Sequence, residues 1–424
     1  MVTVTLPYGK EEVQFEIPKE RISAVLLPKD LPGAPDPYST VRQALLKPVD
    51  GQRLSSTPEG PVVIVTDDFT RPTPSGIICK CIIDRLIELG AEESQITILA
   101  AGGLHRPMTQ QEMQTKFGID LLKRVQISAH DAWDERGLEI LGQTSRGTPV
   151  WVNRLVAKAS LRFTVGMITA HFLAGYGSGP KTIMPGASGY KTIFHNHGVV
   201  SVSPHARMGT THGNPCWEDM AEVTRMVNPT LALDVVLNTR DEIVDAFHGS
   251  PASAQNAGLR LYNSIFGFSL KRKSDIVVAS ANPMHSYLDQ CLKAIIHASM
   301  IVREGGTRVV VSPCNELLGP EYLRKLYYSS LHPKWPTVGE YREMMRSGKI
   351  EDVADAVGIL KFLESNQSAL TLVSDQSFDD DLNNLGLHHA QNVQLAVDDA
   401  VKKHGPEATV TIVPYGAVTH PVLD

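Results

Sequence analysis

Eight short apolar runs rich in β-branched residues recur along the chain, with stretches of helical periodicity between them, and this alternation constrains the fold more than any other feature. The runs are PVVIVTDD (61–68), QITILAAGG (95–103), RFTVGMIT (162–169), LALDVVLN (231–238), SDIVVASAN (274–282), TRVVVSPCN (307–315), ALTLVSD (369–375) and TVTIVPYG (409–416). SGIICKCIIDRLIELG (75–90) and YLDQCLKAIIHASMIVREGG (287–306) space their apolar residues as helices do. Strand, helix and strand in that order predict parallel pairing with helices on the sheet faces, an α/β fold. A chain of 424 residues exceeds what one hydrophobic core usually serves. Two domains are therefore expected, 1–270 and 271–424, each with a mostly parallel sheet flanked by helices, and with the active site in the interdomain cleft. The passage 231–250 reads as a hairpin that closes the first domain, followed by a helix to about residue 268. The segment YYSSLHPKWPTVGEY (327–341) reads as a long loop or lid.

Composition excludes several classes of function. A net charge of -6 with 20% charged residues gives no reason to expect nucleic acid or an anionic membrane as partner. No run is long enough to span a bilayer, and the alternating start MVTVTLPYGKEEVQFEIP reads as a strand rather than a signal peptide. Five scattered cysteines (Cys79, Cys81, Cys216, Cys291, Cys314) suit reduced thiols in a cytoplasm. Cys79 and Cys81 stand too close together for the usual zinc pair.

Polar clusters follow directly on three of the strands, at the ends where ligands sit in such folds. In DDFTRPTP (67–74), Asp68 and Arg71 fit a rigid turn in which arginine grips a carboxylate and aspartate orients it; on this motif alone, the capped start of a helix is the favoured reading. In AAGGLHRPMT (100–109), Gly102 and Gly103 permit close backbone approach and His105 projects from the turn. The stretch HFLAGYGSGPKTIMPGASGYKTIFHNH (171–197) sets Lys181 among glycines, Gly177 and Gly179 included, with His171, His195 and His197 on either side. It departs from the phosphate loop of nucleotide triphosphatases, because spacing and the proline before Lys181 are wrong. A phosphate contact or an activated amine remain two readings of that lysine. The histidines offer metal ligation or proton transfer near neutrality. In DQCLK (289–293), Gln290 and Lys293 share one helix face, as surface residues or as an amide and a cation for a small anion.

Taken together, DDFTRPTP, GGLHRP, the 171–197 block and the Gln290/Lys293 pair, in this order and at these separations, resemble the lactate racemase family of nickel-pincer enzymes. The resemblance runs over most of the first domain and into the second. It implies a pyridinium mononucleotide that carries nickel, attached to Lys181, with His197 as nitrogen ligand to the metal. It implies His105 and His171 as the two catalytic histidines, on opposite faces of the substrate carbon. Asp68, Arg71, Gly102, Gly103, Gly177 and Gly179 then surround the cofactor, and Arg71, Gln290, Lys293 and Asp289 the substrate. His195 is read as a support. The implied reaction inverts the C2 centre of a 2-hydroxy acid by proton-coupled hydride transfer to the cofactor, through a transient 2-keto acid. Each histidine is base for one enantiomer and acid for the other. Asp289 stands where the lactate enzymes carry an aromatic residue, and Trp335 does not align with the family's substrate-facing tryptophan, so the expected substrate is one other than lactate: malate-like, aromatic or a sugar acid. Cofactor-synthesis proteins are the implied partners. Two alternatives stay open: a nucleotide-cofactor binding protein without racemase activity, and a zinc-dependent hydrolase using His171, His195 and His197.

Overall fold

The structure is a computed structural model that describes all residues except 57, 320–335, 348, 351–359, 361, 376–386 and 424. The chain forms two compact units, Asp30–Ile265 and a second that joins Met1–Lys29 to Phe266–Asp424. The sequence boundary at 270/271 therefore falls a few residues beyond the structural one, and the first 29 residues lie with the C-terminal unit rather than the N-terminal one.

In the Asp30–Ile265 unit a six-stranded sheet runs in the order Ile243–Gly249, Thr230–Leu237, Leu161–Met167, Val62–Thr66, Ile96–Ala100, Gln126–Ala129. Every neighbouring pair is parallel except the first, the expected hairpin, which is antiparallel. The strand Val62–Thr66 is buried at every position, as a continuous β-branched run must be when helices cover both faces. Helix Ser75–Glu88 supplies one cover, burying Ile78, Cys79, Cys81, Ile82, Ile83 and Leu86. From Val62–Thr66 the chain adds strands on one side, then returns to add Leu161–Met167 and Thr230–Leu237 on the other. This reversal makes a topological switch point, where the loops at the carboxyl ends diverge and leave room for a ligand.

The other unit carries a parallel six-stranded sheet, His388–Ala390, Ala369–Val373, Val302–Val311, Ser274–Ser280, Val410–Val413, Ile22–Val25. Ile22–Val25 comes from the N-terminal segment and pairs with Val410–Val413, which is why that segment belongs here. The hairpin Val2–Tyr8 with Glu11–Ile17 puts Leu6, Tyr8, Phe15 and Ile17 into the same core as Ile276, Val278, Val309 and Val311. Of the segment expected to be a loop or lid, 327–335, Trp335 included, lies outside the described residues. The helix Val338–Arg346 begins within the rest of it, capped by Thr337 and Glu340, a capping box legible as Thr-x-x-Glu. Among the described residues, no helix is long and apolar enough to cross a membrane.

Each unit contains a buried neutral histidine. His130 Nε2 meets the Ser188 carbonyl at 2.9 Å and its Nδ1 meets the Asn153 amide at 3.1 Å. His297 Nδ1 meets the Gly416 carbonyl at 2.8 Å. Burial pushes His130 down to about 4 and His297 down to about 3. Both rings take up protons only on unfolding, so their stability contribution is complete above the unfolded histidine pKa of about 6.5 and is lost as pH falls below it. Between pH 7 and pH 5 each ring is expected to cost about 2 kcal/mol of stability. Urea unfolding at the two pH values measures the slope, and His130→Asn should flatten it.

Candidate active site

The polar clusters after the strands sit at the switch point of the Asp30–Ile265 unit. Val62–Thr66 leads into Asp67 and Asp68, its neighbour Ile96–Ala100 leads to Gly102–His105, and its other neighbour Leu161–Met167 leads to His171.

The turn after Val62–Thr66 does not cap the helix that follows it. The helix that follows has Pro74 at its N-cap and no side-chain cap bond. Asp68, 3% exposed, takes the Thr70 hydroxyl at 2.5 Å on Oδ1 and His105 Nδ1 at 2.7 Å on Oδ2. Burial alone would raise the Asp68 carboxyl; His105, Arg71 and Thr70 overcome it and hold the group well below the usual carboxylate range. A carboxylate only accepts, so the His105 proton lies on Nδ1 in the neutral ring and Nε2 is the basic nitrogen. The close pairing requires Gly102, because a Cβ there would stand 2.7 Å from Asp68 Oδ2. Arg71 donates to the Thr70 hydroxyl at 2.8 Å and to its carbonyl at 3.2 Å. Lys116 ties the turn from below: its ammonium is 2.9 Å from Asp67 and donates to the Arg71 carbonyl at 3.0 Å.

His171 is set the other way. Its Nδ1 accepts the backbone N–H of Ala174 at 3.2 Å and of Leu173 at 3.3 Å. Amides only donate, so the proton of the neutral His171 ring lies on Nε2. The two histidines thus present opposite tautomers.

The chain then turns through Gly175–Tyr176 to Lys181. Gly177 and Gly179 make close contacts within the fold. The Gly177 N–H is spent on the Thr169 carbonyl at 2.7 Å, and its carbonyl takes the Gln255 amide at 2.8 Å. Gly179 has φ +57°, and a Cβ there would stand 2.9 Å from Gln255 Cβ. Their small size serves packing of the loop that carries Lys181. Burial, and then the neighbouring Arg71 guanidinium, lower the Lys181 ammonium to about 8. His197 is pushed down to about 3 by burial and by Lys181 itself, and so stays uncharged. Gly103 donates to the Gly186 carbonyl at 2.9 Å, which joins the His105 turn to the Lys181 loop. Asp68, Arg71, His105, Lys181 and His197 accordingly form one electrostatically connected group.

The Phe266–Asp424 unit holds the remaining candidates on helix Leu288–Ile301. Gln290 is 1% and Lys293 5% exposed, so they are not surface residues. Lys293 Nζ donates to Gln290 Oε1 at 2.9 Å, and Gln290 Nε2 lies 3.4 Å from both Tyr287 Oη and Asp289 Oδ2.

His171, His195 and His197 do not converge on a metal: among the described residues no group of three or more His, Cys, Asp or Glu side chains is placed to hold one. The zinc-hydrolase alternative loses its ligand set. Sequence reasoning missed Thr70, Lys116, Asp219 and Asp234, whose roles depend on contacts between distant strands and loops. Asp234, in register with Gly166 and fully buried, is pushed up to about 8 by burial, against the pull of Ser178 and the Gly179 amide. Asn196 had a visible signal, standing between two histidines.

A carboxylate-oriented imidazole, a second imidazole of opposite tautomer and a lysine of lowered proton affinity are carried by loops of one α/β unit. The family described as "Lactate racemase N-terminal domain" matches residues 8–209, and that described as "Lactate racemase C-terminal domain" matches 270–419. Relatives include a lactate racemase of Thermoanaerobacterium thermosaccharolyticum, 31% identical over 79% of this chain and 80% of its own. A second, from Lactiplantibacillus plantarum, is 28% identical over 98% of this chain and 99% of its own. The solved lactate racemase apoprotein from T. thermosaccharolyticum superposes with a TM-score of 0.88 at 26% identity, over 99% of this chain and all of that one. A Thermotoga maritima protein shares the fold alone, with a TM-score of 0.71 at 16% identity over 93% of this chain. The chain belongs to the lactate racemase family.

Proposed function

We propose that this protein is a racemase or epimerase that inverts the C2 centre of a 2-hydroxy acid with a nickel-pincer nucleotide held on Lys181. The observation that carries the reading is the pair of imidazoles of opposite tautomer, with an unprotonated Nε2 on His105 fixed by Asp68 and an Nε2–H on His171 fixed by two backbone amides. The residues fit the group on two counts. Lys181 has an amine poised for covalent attachment. His197 offers a single imidazole with no cluster of other ligands around it among the described residues, which suits a metal that brings its remaining donors with it. When bound, the group supplies a reversible hydride acceptor.

The chain supplies the rest. Nε2 of His105 takes the hydroxyl proton of one enantiomer, and His171 exchanges the proton on the other face. Arg71, steadied through Thr70 and the Lys116 anchor, holds the substrate carboxylate. The family resemblance assigns Lys293, whose ammonium donates to Gln290, to the substrate as well. Asp289 supports a substrate other than lactate, with hydroxyl groups that an acid can bind, so sugar acids come first and malate-like or aromatic 2-hydroxy acids next. The five cysteines carry no disulfide, in keeping with a cytoplasmic enzyme, and cofactor-synthesis proteins are its expected partners. A binding protein without turnover has no use for two oriented imidazoles.

The test is co-expression with cofactor-synthesis proteins and nickel, then intact mass, metal content and chiral chromatography of single-enantiomer 2-hydroxy acids. The expected result is a mass increase mapped to Lys181, one nickel per chain and appearance of the opposite configuration. A loaded chain that leaves every such acid unchanged overturns the racemase reading.

A further inference from the structure

The sequence His195-Asn196-His197 lies in a π-helical turn, His195–Val199, whose hydrogen bonds the reaction described above does not use. Asn196 is fully buried. Its Nδ2 donates to Asp219 Oδ2 at 2.8 Å and to the Cys216 carbonyl at 3.1 Å. Neither partner has a proton to give, so the amide cannot be turned over, and Oδ1 faces His197 Nδ1 at 2.9 Å and the Cys216 thiol at 3.1 Å. An amide oxygen only accepts. The His197 proton is therefore on Nδ1, and Nε2 carries the lone pair.

The amide is held in turn by Asp219, a fully buried carboxylate that also takes the Thr144 hydroxyl at 2.6 Å and the Thr148 hydroxyl at 2.8 Å. Thr148 spends its single proton on Asp219, so its oxygen accepts from His195 Nδ1 at 2.8 Å. One carboxylate thus fixes the tautomers of both histidines, through Asn196 on one side and Thr148 on the other.

We propose that Asn196, locked by Asp219, is a positioning residue that holds His197 in its Nδ1–H tautomer and so keeps Nε2 unprotonated as the protein's nitrogen donor. That use of Nε2 rests on the nickel-pincer reading, whereas the tautomer itself does not. Groups of this kind fix ring orientation and raise ligand basicity, and their loss typically weakens metal binding by about 10- to 100-fold.

The experiment uses the full chain labelled with ¹⁵N-histidine, without cofactor, and reads long-range ¹H–¹⁵N correlations of each ring. In the wild type His197 and His195 should both be protonated on Nδ1. Asn196→Leu should move His197 toward the Nε2–H form while His195 stays; Thr148→Val should do the reverse. After loading, Asn196→Leu should lose nickel to a chelator about tenfold faster or more. A wild-type His197 protonated on Nε2, or an Asn196→Leu spectrum unchanged at His197, overturns the proposal. If Asn196→Leu does not fold, the wild-type spectrum still decides, because a proton on His197 Nδ1 supports the lock and one on Nε2 overturns it. His197→Ala separates the two claims: nickel held as tightly as in the wild type would refute His197 as ligand while leaving the tautomer lock in place.

Discussion

Replacing His105 by alanine is expected to lower racemisation by about 10²- to 10⁴-fold, the usual contribution of a positioned acid–base group. Nickel content and the Lys181 adduct should be unchanged. The loss should fall on kcat in both directions, since each half of an inversion needs the proton that His105 takes or returns. Asp68→Asn tests the same arrangement one residue further out. The carboxylate at 2.7 Å keeps the His105 proton on Nδ1. In the variant, a side-chain amide that presents its NH2 to Nδ1 reverses the tautomer. The lone pair then sits on Nδ1, facing that amide, and Nε2 carries the proton, so a loss of about 10²-fold or more in turnover per bound nickel is expected. Chiral chromatography of initial rates with metal analysis on the same samples checks both. A His105→Ala enzyme of full activity would sink the acid–base assignment.

Lys181→Ala should abolish the covalent adduct altogether, and with it nickel retention and turnover, which intact mass measures directly. A finer expectation follows from the environment of the lysine. Its ammonium is lowered from 10.5 to about 8, first by burial and then by Arg71. The neutral amine is the nucleophile, and its share rises with pH through the pKa. At pH 7 that share is about a tenth, roughly three-hundredfold more than for an ordinary lysine. With an amine-selective acylating reagent on the cofactor-free chain, labelling of Lys181 should reach half its maximal rate near pH 8. Arg71→Met removes the nearby cation and should move that midpoint up. A midpoint in the ordinary lysine range for the wild type would refute the activated amine.

The α/β class and the strands that carry the site were legible because a strand buried on both faces must be a continuous apolar run, and Val62–Thr66, Leu161–Met167 and Ser274–Ser280 are such runs. Asp68, His105 and His171 stood out as candidates because they come shortly after the strands Val62–Thr66, Ile96–Ala100 and Leu161–Met167, and Lys181, His197, Gln290 and Lys293 because their order and spacing match one family. Sequence reading places the N-terminal segment in the wrong unit because Ile22–Val25 joins Val410–Val413 across nearly the whole chain, and nothing local marks that pairing.

The residue types, their order and the family they resemble by themselves supplied the candidates: His105 and His171 for the proposed proton transfer, Lys181 for the proposed anchor, Arg71 for a carboxylate. Only the tertiary structure decided the state in which each group is held. A tautomer depends on which neighbour accepts or donates, and Asp68, the 173–174 amides and Asn196 reach their imidazoles through the fold of turns and strands. The Lys181 proton affinity depends on burial and on Arg71, more than a hundred residues away. Sequence names the groups; desolvation and hydrogen-bond partners, which exist only once the chain is packed, set their protons.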